Sequence, residues 1–113
     1  MVKTIAIGGK EYIFAANAAT PFRYKQLFNE DLFVIFSKAS ADTENTASLA
    51  ETVTRLAYIM IRQAEKADMN KISMDDFLTW LEDFAPMDLM LAGEDILNFY
   101  LQSSNGSILP KKK

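Results

Sequence analysis

Two pairs of neighbouring carboxylates, Asp75-Asp76 and Glu82-Asp83, are the side chains of this sequence best suited to acid–base chemistry. Paired carboxylates act as general acid and base where their surroundings drive the two pKa values apart. Acidic residues are also common on solvated helix faces and near helix starts, where the helix dipole favours them. We favour this second interpretation, and the sequence predicts no catalytic residue.

The stretch from Ile72 to Phe77 is similar to the closing half of a calcium-binding EF-hand loop. With Asp76 as the last ligand, Ala67 and Met69 fall at two ligand positions, and Asn70 stands where the loop requires glycine. Apolar side chains cannot bind calcium. No metal site is predicted.

The 113 residues include no cysteine and no histidine. This composition excludes zinc fingers, cysteine nucleophiles, serine–histidine triads and histidine acid–base pairs. It also excludes a small secreted domain held together by disulfides. We therefore expect a protein that is not an enzyme and that uses no cofactor.

The formal net charge of −3 conceals an acidic body. Three of the twelve basic residues are Lys111, Lys112 and Lys113, which leaves nine bases against fifteen acids, or −6, for the rest of the chain. From Glu65 to Asp95 there are nine acids and two bases, a local charge of −7. Such a field repels phosphate, so no nucleic-acid partner is expected.

The apolar run at the start of the sequence is too short for a signal peptide. No segment approaches the roughly 20 apolar residues that span a bilayer. We therefore expect a cytoplasmic protein with no membrane partner.

The elements that would position these residues begin with a β-hairpin over residues 3–15. Gly8-Gly9 suits a tight turn, and no helix with the Lys-Ser/Thr start of a phosphate loop follows it. The inward residues of the hairpin are expected to be Ile5, Ile7, Tyr12 and Phe14.

Apolar spacing predicts helices over about 21–39, 46–66, 74–85 and 87–102. Thr20-Pro21 and Ser73 are the expected helix starts, and Gly93 is a candidate kink in the last helix. The helix over 46–66 is apolar on several sides and should be central. The fold class is thus mainly α with a small N-terminal β-hairpin (α+β): a single domain of about four to five helices over residues 1–102, with a disordered tail over 103–113.

The aromatic and methionine content exceeds what one small core needs. In the simpler interpretation, the large apolar side chains near the end of the sequence are core residues, namely Phe77, Trp80, Leu81, Phe84, Met87 and Met90. In the alternative they form a groove or a self-association surface, since methionine-rich surfaces suit helical partners. On this alternative, the partner-facing candidates are Phe77, Trp80, Phe84 and Met90.

Three segments give the chain a family resemblance: Ile7 to Tyr12, Ala19 to Phe28, and Asp76 to Leu81 with the helix after Pro86. Together they resemble the tail assembly chaperones of long-tailed phages and prophages of Gram-positive bacteria. The resemblance covers most of residues 1–102 and rests on an arrangement of segments rather than on a catalytic motif.

The resemblance implies a non-enzymatic role in virion assembly. Such chaperones coat the apolar, helical tape-measure protein, help to recruit tail tube subunits and are absent from the finished particle. The family often produces a longer second protein by ribosomal frameshifting, and Lys111-Lys112-Lys113 is compatible with a slippery adenine run. Homo-oligomers are a further possibility.

Two other functions remain open. A tail completion or connector protein would be found in purified particles, whereas a chaperone would not. A small regulatory adaptor that binds a host protein would be encoded away from tail genes.

Overall fold

A two-stranded hairpin packs against helices in the computed structural model, which describes residues 1–41, 46–66 and 72–105. The strands are β1 (Val2–Ile7) and β2 (Lys10–Ala15). The helices are α1 (Thr20–Phe28), α2 (Leu32–Ala41), α3 (Thr46–Ala64), α4 (Met74–Leu81) and α5 (Pro86–Asn105). The predicted fold class, mainly α with an N-terminal β-hairpin, is confirmed.

The hairpin turns at Gly8 and Gly9, whose φ angles are +63° and +84°. Positive φ at both central residues matches the right-handed twist of the flanking strands, and glycine adopts it without steric cost. In the resulting antiparallel register, Ile5 pairs with Tyr12. The inward face is as predicted, with Ile5, Ile7 and Phe14 buried and Tyr12 half-buried.

The long helix α3 is the centre of the fold, as its apolar pattern predicts. Every residue from Leu56 to Ile61 is buried, which requires neighbours on all sides of the helix. Those neighbours are β2, α1, α2, α4 and α5. Gln63 ties the end of α3 to the hairpin, because its side-chain amide donates hydrogen bonds to the Ala15 carbonyl at 2.8 Å and to Thr20 Oγ1 at 3.0 Å.

The single helix predicted over 21–39 is wrong, because the chain forms α1 and α2 with a break between them. Asn29 ends α1 in the left-handed region, with φ of 59°, and its N–H donates to the Lys25 carbonyl. The Asp31 carboxylate then accepts a hydrogen bond from the Phe33 N–H at 2.9 Å. Asparagine adopts the left-handed conformation more readily than most residues, and the short Asp31 side chain caps the start of α2, so both favour a break over a continuous helix.

The break is fastened to α3 by Glu30. Its Oε1 accepts hydrogen bonds from the Tyr24 hydroxyl and from Arg55 Nη1, each at 2.9 Å. The guanidinium of Arg55 also lies over the Phe28 ring, 5.7 Å from its centroid. Burial, reinforced by the bond to the Glu30 carboxylate, raises the pKa of Tyr24 to about 12.

Several other boundaries differ from the prediction. Thr20 does not cap α1 by its side chain, because its hydroxyl accepts the Asn17 N–H instead. The third helix ends at Ala64, α4 ends at Leu81, and α5 continues to Asn105 without a break at Gly93. Residues 103–105, expected to be disordered, are helical. The rest of that tail and the connections at 42–45 and 67–71 lie outside the described residues.

Across the described ranges, no helix has both the length and the apolar character needed to cross a bilayer.

Candidate functional site

An open apolar groove of about 490 Å³ runs between α3 and α5. We call it the α3–α5 groove. Its lining residues are Leu49, Ala50, Glu51, Val53 and Thr54 from α3, and Pro86, Leu89, Met90, Gly93, Glu94 and Leu97 from α5.

The groove has helical periodicity on both walls. On α5 the lining positions 86, 89, 90, 93 and 97 follow the three- and four-residue steps of one helix face, and on α3 positions 49, 50, 53 and 54 do the same. Paired stripes of this kind occur where two neighbouring helices together pack against a third helix. The groove therefore has the form of a helix–helix seam with an open slot above it.

Gly93 lies on the floor of the groove. A Cβ atom at this position would be 3.9 Å from Val53 Cγ1, an ordinary contact distance. The absence of a side chain here leaves the space above Val53 open. Helix α5 runs through Gly93 without a break, and this glycine leaves the groove deeper than a side chain would.

Large apolar side chains extend from the groove along the outer side of α5. Met90 is 64% exposed, and its neighbours Met87 and Leu91 are 59% and 74% exposed. These three residues form what we call the α5 apolar stripe. Scattered exposed apolar residues are normal, but a contiguous set beside an apolar groove is a candidate interaction surface.

Both rims of the groove are acidic. Among the described residues, the charged ones that line the groove are Glu51 on α3 and Glu94 on α5, and both are exposed. The two arginines of α3 are engaged elsewhere, Arg55 with Glu30 at 2.9 Å and Arg62 with Glu65 at 2.6 Å. Helix α5 has three acidic residues and no basic one. The groove therefore combines an apolar floor with negative edges.

Of the four partner-facing candidates, only Met90 lies at the groove. Phe77 and Trp80 are 5% and 8% exposed and belong to the core. Phe84 is half-buried against Trp80, with ring centroids 4.6 Å apart. For Phe77 and Trp80 the expectation of an accessible surface is corrected, since α4 turns this face inward.

The buried face of α4 belongs to a continuous series of ring contacts. From Phe84 the series continues to Tyr12 of the hairpin at 5.4 Å, and from Trp80 to Tyr58 of α3 at 5.3 Å. Phe77 in turn contacts Phe28 of α1 at 5.0 Å. Edge-to-face and tilted packing of this kind contributes roughly 0.5–1.5 kcal/mol per pair beyond area burial. These side chains hold α4 in place.

The two acidic pairs lie on the surface of the protein, in α4 and just after it. Asp75, Asp76, Glu82 and Asp83 are all exposed. Among the described residues no group of three or more acidic side chains is arranged to hold a metal ion. Asp76 has a local role through its backbone, because its N–H donates to Ser73 Oγ at 3.2 Å and so caps α4 as predicted. Residues 67–71, which precede Ile72 in the comparison with an EF-hand loop, lie outside the described residues.

Sequence reasoning identified Met90 but missed its setting. Helical spacing in the sequence places Leu49 and Val53 on one stripe of α3, and Leu89, Met90 and Leu97 on one face of α5. Whether the two stripes leave a slot between them depends on the packing angle of the helices, and the periodicity of the sequence does not give that angle. Gly93, four residues before Leu97 in this face, was the available signal.

Comparison with protein-family models, with curated proteins and with solved structures finds no match to this chain.

Proposed function

We propose that this protein is an assembly chaperone that holds an apolar helical segment of another polypeptide in the α3–α5 groove. The resemblance to tail assembly chaperones makes the phage tape-measure protein the proposed partner, with tail tube subunits as a second. The observation that supports this most is the open groove continuous with the exposed α5 apolar stripe.

The dimensions of the groove suit a helix. Its α5 wall runs from Pro86 to Leu97, and eleven steps of about 1.5 Å give a length of about 16 Å, or three helical turns. A helix in this slot would place residues at i, i+3, i+4 and i+7 against the floor, which is the common mode of helix-in-groove recognition. An extended strand would not match walls of helical periodicity.

The exposed side chains of the α5 apolar stripe supply binding energy. Moving a side chain such as Met90 or Leu91 from water into an apolar contact is worth roughly 1–2 kcal/mol at these exposures, before association costs. Methionine is flexible and polarisable, so it adapts to partner helices of different sequence. A chaperone that coats a long, variable apolar stripe needs this tolerance.

Co-expression with a fragment of the tape-measure protein tests the proposal. We expect the wild-type chain to keep the fragment soluble and to co-purify with it. Met90→Glu should lower the affinity at least about tenfold, because it puts a carboxylate into an apolar contact. Gly93→Leu should also abolish the complex, because the new side chain fills the slot.

The controls separate binding from folding. Gly93→Leu removes a helix-interior glycine, so the free energy of unfolding should not fall and can rise by up to about 1 kcal/mol. Met74→Glu changes an exposed methionine of α4, away from the groove, and should leave the complex intact. If the wild-type chain does not bind the fragment, or if both groove variants bind it as the wild type does, the proposal is wrong.

A further inference from the structure

From the two rims of the α3–α5 groove we infer the charge class of its partner: an apolar helix whose stripe is flanked by lysine or arginine. This inference rests on the proposed function and adds to it a criterion for partner choice. It concerns Glu51 and Glu94, the acidic residues on opposite walls of the groove.

The two carboxylates are positioned to contact a bound helix rather than the chain itself. Both are exposed, and no ion pair involves either of them within the described residues. A helix lying on the apolar floor would present the residues beside its stripe to these rims. Basic side chains there would meet one carboxylate on each side, and acidic ones would be repelled.

A second copy of this chain fits the groove poorly. Docking α5 of one copy into the groove of another would bring Glu94, Asp88 and Asp95 towards the rims of a groove that already carries Glu51 and Glu94. Helix α5 offers no basic residue to offset this repulsion. The charge distribution therefore favours a different polypeptide with basic flanks over self-association through this face.

Two synthetic peptides provide the test. Each is about four helical turns long and carries the same leucine stripe at i, i+3, i+4 and i+7, flanked by lysines in one peptide and by glutamates in the other. Binding of each labelled peptide to the full-length protein is measured by fluorescence anisotropy at low and at high salt. We expect the lysine peptide to bind on the order of tenfold more tightly at low salt. The preference should shrink at high salt, because the rim charges are exposed and screened.

Matched variants assign the preference to the rims. The double variant Glu51→Gln/Glu94→Gln should reduce it to about twofold or less, with little change in the affinity for an uncharged peptide of the same stripe. Asp75→Asn/Asp76→Asn removes two negative charges from the exposed start of α4 and should leave the preference intact. Circular dichroism checks that each variant is folded.

The outcomes distinguish this inference from the function on which it rests. Equal binding of the lysine, glutamate and uncharged peptides would overturn the charge criterion while supporting a groove that binds helices. A preference that persists in Glu51→Gln/Glu94→Gln would also overturn it. If none of the peptides binds and the tape-measure fragment also fails to bind, the proposed function fails as well. Sedimentation of the protein alone at the assay concentration should show no self-association through the groove face. Self-association that the substitution Met90→Glu abolishes would contradict this.

Discussion

At the residue scale, the polar contacts around Glu30 stabilise the fold. Glu30 accepts hydrogen bonds from Tyr24 on α1 and from Arg55 on α3, so one carboxylate joins the break between α1 and α2 to the central helix. The side chains of Arg55 and Glu30 are 30% and 40% exposed, so their ion pair contributes only about 0–1 kcal/mol. The hydrogen bond from the buried Tyr24 hydroxyl contributes about 1–2 kcal/mol.

The Tyr24 hydroxyl gives this contact a pH dependence. Its pKa is raised from 10.0 to about 12 by burial and by the hydrogen bond to Glu30. The folded state therefore holds this proton more tightly than the unfolded chain does. The stabilisation is complete below about pH 10 and is lost as the pH rises from there towards 12.

We expect Tyr24→Phe to lower the free energy of unfolding by about 1–2 kcal/mol at neutral pH. The difference from the wild type should narrow above about pH 10, because only the wild type has a phenol to ionise. Urea unfolding of both proteins over this pH range measures the difference in the free energy of unfolding. A difference that stays constant above pH 10 would show that Tyr24 is not held in its neutral form as described.

The residue scale is also where sequence reasoning met its limit. Phe77, Trp80 and Phe84 were recognised as one apolar face, but periodicity gives a face without saying whether protein or solvent covers it. The ring contacts of these side chains with Tyr58, Phe28 and Tyr12 come from distant parts of the sequence. Met90 belonged to an equally apolar pattern and remains exposed.

At the element scale, the α1–α2 break shows why a local pattern can mislead. The apolar run from Leu32 to Phe36 favours a helix, and α2 is indeed one. The break before it depends on the left-handed conformation of Asn29 and on the Asp31 cap. Asn29-Glu30-Asp31 interrupts the apolar pattern, and the capping preferences of asparagine and aspartate are the local signal for a break between two helices.

Substitutions at Asn29 test this explanation of the break. At a φ of 59°, alanine meets the steric cost of the left-handed region, so Asn29→Ala should destabilise the protein by about 1 kcal/mol. Asn29→Gly should stay within roughly 0.5 kcal/mol of the wild type, since glycine adopts this conformation readily. Chemical denaturation measures the free energy of unfolding of both variants. Equal stability of the two variants would contradict the account of how α1 ends.

Other elements could be predicted because their signals are local. Glycines in the hairpin turn and the Ser73 cap of α4 act within a few residues, and both appear as expected. The central position of α3 follows from its being apolar on several sides. The groove was only partly foreseeable, because it arises where α3 and α5 fail to fill the space between two stripes that are each recognisable alone.

At the scale of the whole molecule, the apolar groove and the acidic charge have complementary effects. Net negative charge opposes the self-association of a protein that exposes methionine and leucine side chains. The same charge, placed at the rims of the groove by Glu51 and Glu94, favours a partner with basic flanks. We propose that the protein acts by covering the apolar surface of another polypeptide with this groove.

The most direct measurement is a titration of the isotopically labelled protein with the tape-measure fragment, followed by amide chemical shifts. We predict that the largest shift changes cluster at Leu49 to Thr54 and Pro86 to Leu97, the two walls of the groove. Amides of the hairpin and of α1 should change little. Changes centred on the hairpin or on the α1–α2 break, or no changes at a saturating concentration of fragment, would contradict the account.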